Sequence, residues 1–128
     1  MKREINITNS KSKVIEQYYT LVNPLLGRNK LGPVQIKVLS KMALVYNSYL
    51  HLGEEAANML LFSRKSGVEI RDAVSKDLGT VFNYDAYAVI LYNLRKKGVI
   101  TKNSILYLPP IKDNKIELSI TLNIKNDD

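Results

Sequence analysis

The chain has 128 residues, the size of one domain, and 45% of them are apolar, enough to build a core and to exclude a disordered chain. It contains no cysteine, which excludes disulfides and thiolate metal sites, and a single histidine. Lysine and arginine exceed the acidic residues by 19 to 12, a net charge of +7, and this surplus favours polyanionic partners, nucleic acid first among them. Apolar stretches are all shorter than the roughly 18 residues of a membrane span, and Met1–Asn6 lacks the apolar segment of a secretion signal, so no membrane partner is expected.

Taken in order, Ile5 and Ile7 alternate with Asn6 and Thr8, the pattern of a short edge strand, and Asn9–Ser12 reads as a turn with helix-capping residues. A helix is expected from there through Val22, with Val14, Ile15, Tyr18, Tyr19 and Val22 on one face. Pro24 should end it, and Leu25–Lys30 form a connector. Residues 1–30 are thus a strand-and-helix arm on a core spanning 31–124, within a single domain over 1–128.

Gly32-Pro33 begins the longest helix, running to about Leu50. Ile36, Leu39, Ala43, Tyr46 and Leu50 recur at spacings of three and four, and Val38, Met42, Val45 and Tyr49 widen the stripe, leaving only Lys37, Lys41 and Ser48 as a polar strip. So wide a stripe has to be covered on most sides, which makes this the central core helix; a coiled-coil seam would be narrower and longer. Glu54–Phe62 reads as a short helix with acidic residues at its N-terminus. Ser66-Gly67-Val68-Glu69 has the spacing of a capping box, with the helix it opens ending at Leu78 before Gly79. Asn83 is a good N-cap for a helix from Tyr84 to Lys97, whose Tyr87, Leu91 and Leu94 share an inward face, and Gly98 ends it. Ile100–Leu108 reads as a strand ended by Pro109-Pro110, and Asp113-Asn114 as a hairpin tip. Ile116, Leu118, Ile120, Leu122 and Ile124 then alternate with Glu117, Ser119, Thr121 and Asn123, the signature of a strand buried on one face. The last four residues, from Lys125, form a polar tail.

The succession helix, turn, helix, Leu94-Arg95-Lys96-Lys97-Gly98-Val99-Ile100 and hairpin resembles the winged helix-turn-helix family, in particular the small winged-helix proteins carried by bacteriophages. The resemblance implies an α+β fold, mainly helical, with a C-terminal β-hairpin wing around Lys112–Lys115 and an extra N-terminal helix. It implies that Ile70–Leu78 and Tyr84–Lys97 form the helix-turn-helix, the second as recognition helix, with phosphate contacts from Lys65, Arg71, Arg95, Lys96, Lys112 and Lys115. The segment between Gly79 and Gly98 is slightly longer than the compact form of the motif.

Catalytic chemistry finds no support in the residues. His51 stands without a second histidine or cysteine at ligand spacing, Glu54 and Glu55 point about 100° apart on a helix, and no glycine-rich phosphate loop is present. The expectation is a non-enzymatic protein with no cofactor, no metal and no catalytic residue. The outward face of the second helix, Tyr84, Asp85, Val89 and Tyr92, is poor in the Arg, Lys, Asn and Gln that read bases, and Asp85 repels phosphate. Two functions follow. One is a nucleic-acid-binding protein, regulatory or DNA-associated, with weak base readout, working in the host cytoplasm. The other is a virion structural or assembly protein, or a homo-oligomer, using Tyr84, Val89 and Tyr92 as a protein-contact patch. Arg95, Lys96 and Lys97 also complement the negative end of the helix dipole, whichever function holds.

Overall fold

The computed structural model describes residues 2–6, 11–106, 108–109, 111–112 and 115–119; for 2–6, 11–12, 28–29, 111–112 and 115–119 it describes the backbone alone. Helices dominate: α1 (Lys11–Val22), α2 (Pro33–Tyr49), α3 (Glu54–Leu61), α4 (Arg64–Leu78) and α5 (Tyr84–Lys96). Short 3-10 turns, Asn23–Asn29 and Leu50–Leu52, join α1 to α2 and α2 to α3.

The expected central helix is central. Along α2, Val38, Leu39 and Met42 have no exposed surface, and Ala43, Ile36 and Tyr46 are buried beside them. Helices α1, α3, α4 and α5 all pack against it, because its apolar residues leave no broad polar face to turn to water. Ile15 and Tyr19 from α1, Ala57 and Leu61 from α3, Ile70 and Val74 from α4, and Leu94 from α5 complete one continuous core. The polar strip foreseen on α2 is only partly at the surface. Lys41 is buried and reaches Asp77 of α4 at 3.0 Å, while Lys37 reaches Glu16 of α1 at 3.1 Å. Ion pairs thus tie three helices together where the apolar stripe ends.

Within the helical body, residues 11–106, the expected winged helix-turn-helix architecture with a hairpin wing does not form. Residues 11–106 contain no β-strand. Ile100–Leu108, expected as the first wing strand, makes a single isolated bridge between Ile100 and Ile105. The chain turns back at once, since the Thr101 amide donates to the Ser104 carbonyl at 2.7 Å and the Leu106 amide to that of Val99 at 3.0 Å. Pro109-Pro110 then supplies two consecutive residues without an amide donor, which cannot extend a ladder. Ile105 is instead drawn onto α3, its amide donating to Asn58 Oδ1 at 2.9 Å. Backbone pairing occurs outside the helical body, where β1 (Lys2–Asn6) and the two-residue β2 (Ile111–Lys112) flank β3 (Lys115–Ser119), all antiparallel. Ile7, Asn9-Ser10, Asp113-Asn114, and Ile120 through Ile124 with the polar tail lie outside the described residues, and the facing of Ile116–Ser119 concerns side chains that are not described either.

The capping box at Ser66 is also corrected. Helix α4 begins at Arg64, and its N-cap is Ser63, whose Oγ accepts from the Ser66 amide. Ser66 lies inside the helix, fully buried, and its hydroxyl donates to the Leu60 carbonyl at 2.6 Å. Ser63 donates to the same carbonyl, so two hydroxyls hold the sharp junction between α3 and α4. At the other end Gly79 adopts φ 69°, the left-handed conformation that a C-terminal glycine supplies without strain. Asn83 caps α5 as expected, with Oδ1 accepting from the Ala86 amide at 2.9 Å.

Candidate nucleic-acid interface

Helices α4 and α5 are joined by the turn Gly79–Asn83. Ser75 fixes that turn, its Oγ accepting from the Phe82 amide at 2.9 Å while Phe82 buries its ring. The two helices border a cleft of about 660 Å³. Arg64, Gly67 and Arg71 line it from α4, Tyr84, Tyr87, Ala88 and Leu91 from α5, and Leu61–Ser63 close one end. The spacing explains the facing rows. Positions 64, 67 and 71 recur at helical intervals on α4, as do 84, 87, 88 and 91 on α5.

Within the cleft, the Arg71 guanidinium carbon lies 5.6 Å from the centre of the Tyr84 ring, a cation–π distance. Its Nε donates to the Gly67 carbonyl at 3.3 Å, which orients the guanidinium and leaves its terminal nitrogens for a ligand. Tyr87 is only 6% exposed. Burial pushes its hydroxyl up to a pKa of about 12, against the opposing pull of Arg71. That hydroxyl finds no hydrogen-bond partner among the described residues, and since no fully buried side-chain oxygen there is left unpaired, it is open to solvent in the cleft that Tyr87 lines.

The residues expected to contact nucleic acid fall into three places. Arg71 is in the cleft; Lys65 is exposed beside Arg64 at the start of α4. Arg95 and Lys96 are exposed in the last turn of α5, with the Lys96 ammonium 5.5 Å from the centre of the Tyr92 ring. Lys112 and Lys115 are register partners across β2 and β3, side chains not described. Tyr84, Val89 and Tyr92 are exposed by 65%, 57% and 55%, but they do not form one row. Tyr84 leans on Arg71 in the cleft, whereas Val89 and Tyr92, one helical turn apart, lie outside it. Sequence reasoning missed Arg64, Gly67 and Tyr87. The repeat of Arg64 and Arg71 about a glycine, seven residues apart and so on one helical face, was the available signal.

Lys97, adjacent to these cations, is spent on the fold, donating to the Lys30 carbonyl at 2.5 Å and Gln35 Oε1 at 2.7 Å. Among the described residues no group of His, Asp or Glu converges as a metal site, and no helix is long and apolar enough to cross a membrane. Comparison with family models, curated proteins and solved structures finds no match to this chain.

Proposed function

We propose that this is a non-enzymatic nucleic-acid-binding protein whose contacts run mainly to phosphate, through the cations of α4 and α5 together with Lys112 and Lys115. The observation that carries this reading is how the cations are sorted. The lysines of α2 are neutralised within the fold, Lys37 by Glu16 and Lys41 by Asp77. Arg64, Lys65, Arg71, Lys76, Arg95 and Lys96, on the two outer helices, form no ion pair among the described residues. Lys13, Lys30 and Lys102 are likewise unpaired elsewhere among the described residues, but on α4 and α5 the six cations outnumber the unpaired acids Glu69, Asp72 and Asp85, and in a chain of net charge +7 such a surplus suits a polyanion. Asp85, Val89 and Tyr92 on the outer face of α5 offer little to base edges, so sequence preference is weak and the backbone contribution dominates.

Binding to a mixed DNA pool across a salt series tests this. Affinity should fall steeply with salt, and replacing Lys65 or Lys96 with Glu should weaken all sequences alike and reduce the logarithmic slope by about one unit per lost contact. No binding at low salt would remove the reading. A second reading, an assembly module, is favoured by one observation: Val89 and Tyr92 stand exposed and adjacent on α5, an apolar pair suited to a protein partner or a second copy.

A further inference from the structure

We propose that the cleft between α4 and α5 receives an unpaired nucleotide, so that the protein holds single-stranded nucleic acid in preference to duplex. The inference rests on the nucleic-acid reading above and assigns to it a site and a ligand class.

The cleft is concave. Its 660 Å³ falls within the roughly 300–1,000 Å³ of small-ligand clefts, room for one unstacked nucleotide, whereas a duplex is a cylinder that meets a convex element. The walls are chemically sorted for such a group. Phe62, Tyr84 and Leu91 give aromatic and apolar surface against which a base can stack. Arg64 and Arg71 flank it with two cations that carry no ion pair among the described residues, and Arg71 is already oriented by Tyr84 and the Gly67 carbonyl. A phosphate on either side of the stacked base meets a guanidinium. The independent observation is Tyr87. A tyrosine this deeply buried ordinarily satisfies its hydroxyl within the protein, yet here the hydroxyl has no hydrogen-bond partner among the described residues and opens into the cleft. A base edge or sugar hydroxyl supplies the missing partner. The outer face of α5, by contrast, presents Asp85 with Val89 and Tyr92, which suits neither the phosphates nor the bases of a duplex groove.

Two substitutions test the cleft without changing charge. Tyr87→Phe removes only the unpartnered hydroxyl. Gly67→Met fills the cleft; a Cβ at Gly67 meets nothing closer than the Tyr87 ring at 3.7 Å, an ordinary contact. Both variants should unfold at the parent's temperature or above it. Fluorescence anisotropy with labelled oligothymidylate and with a labelled duplex of equal length should show tighter binding of the single strand by the parent. Tyr87→Phe should weaken the single strand by roughly threefold to tenfold and Gly67→Met by about tenfold or more, with duplex affinity unchanged in both. If both variants bind the single strand as the parent does while duplex binding persists, the cleft is not the site, although the protein still binds nucleic acid. If neither probe binds at low salt, the nucleic-acid reading fails and the cleft assignment with it. Displacement of oligothymidylate by oligoglutamate as readily as by unlabelled oligothymidylate would likewise overturn it, in favour of an acidic peptide.

Discussion

Lys41 and Asp77 meet at 3.0 Å across the interface of α2 and α4, with the lysine side chain only 10% exposed and the aspartate 35%. Removing the carboxylate takes this ion pair from a largely buried ammonium, which costs more than an exposed pair is worth. Asp77→Asn should therefore destabilise the protein by about 1–3 kcal/mol, discounted for the partial exposure of Asp77. Urea unfolding measures it. An unchanged midpoint would show that the pair carries no stability.

Met42 lies in the middle of α2 with no exposed surface. Met42→Asp buries an unpaired carboxylate and should cost several kcal/mol, on the order of 3–5. A variant that melts with the parent would remove α2 from the centre of the core.

Ser63 and Ser66 differ by three positions and by role, and aspartate separates them. At an N-cap, Asp serves about as well as Ser; Ser63→Asp also gives up the donation to the Leu60 carbonyl, but at a half-buried position where water can compensate, so it should cost only about 1–2 kcal/mol. Ser66 is fully buried and donates to the Leu60 carbonyl; there a carboxylate can donate nothing and repels the carbonyl, so Ser66→Asp should cost several kcal/mol. Thermal unfolding of the two variants side by side decides it, and the reverse order would restore Ser66 as the cap.

Tyr87 gives the stability a dependence on alkaline pH. Its folded pKa is raised from 10.0 to about 12, mainly by burial. Between those values the unfolded chain has lost the proton that the folded chain keeps, so the contribution is complete below the lower value and is lost as pH rises through the window. Subtracting the pH profile of Tyr87→Phe from that of the parent isolates this loss from lysine titration. Parallel profiles would contradict the raised value.

Val89 and Tyr92 are the exposed apolar pair on α5. Replacing both with Ser should leave salt-dependent DNA binding nearly intact and, if the pair serves a second copy, abolish self-association in sedimentation experiments. Loss of association together with a parent protein that binds no DNA would establish the assembly role.

Much of the helical body is legible in the sequence because its signals are local. The all-round apolar pattern from Ile36 to Tyr46 admits no place but the centre, Gly79 and Asn83 mark their helix ends by backbone chemistry, and the alternation of Tyr87 with Leu94 sets the inward face of α5. The hairpin wing was misread because alternation shows which residues could pair and says nothing about whether the chain turns back. At Ile100–Ile105 the Thr101–Ser104 turn and the bond that the Ile105 amide donates to Asn58 decide that, and Asn58 lies over forty residues away in sequence. Ser66 misled for a related reason: its spacing to Glu69 fits a capping box, but Ser63 competes for the same junction and is the cap because its Oγ accepts from the Ser66 amide. The cleft was hidden because it belongs to no single helix. Each wall shows only three or four unremarkable residues, and their meaning arises when α4 and α5 face each other.

Lys96 and Lys97 are neighbours in sequence and opposites in chemistry. Lys97 is anchored through its ammonium to the Lys30 carbonyl and Gln35, while Lys96 is exposed over the Tyr92 ring. An amine can be acylated only through a free lone pair, so the hydrogen-bonded, positioned ammonium reacts slowly and the solvated one fast. A brief pulse of an amine-acylating reagent should mark Lys96 well before Lys97, and unfolding should erase the difference. The pair is thereby a built-in chemical reporter of whether the end of α5 remains fastened to the start of α2.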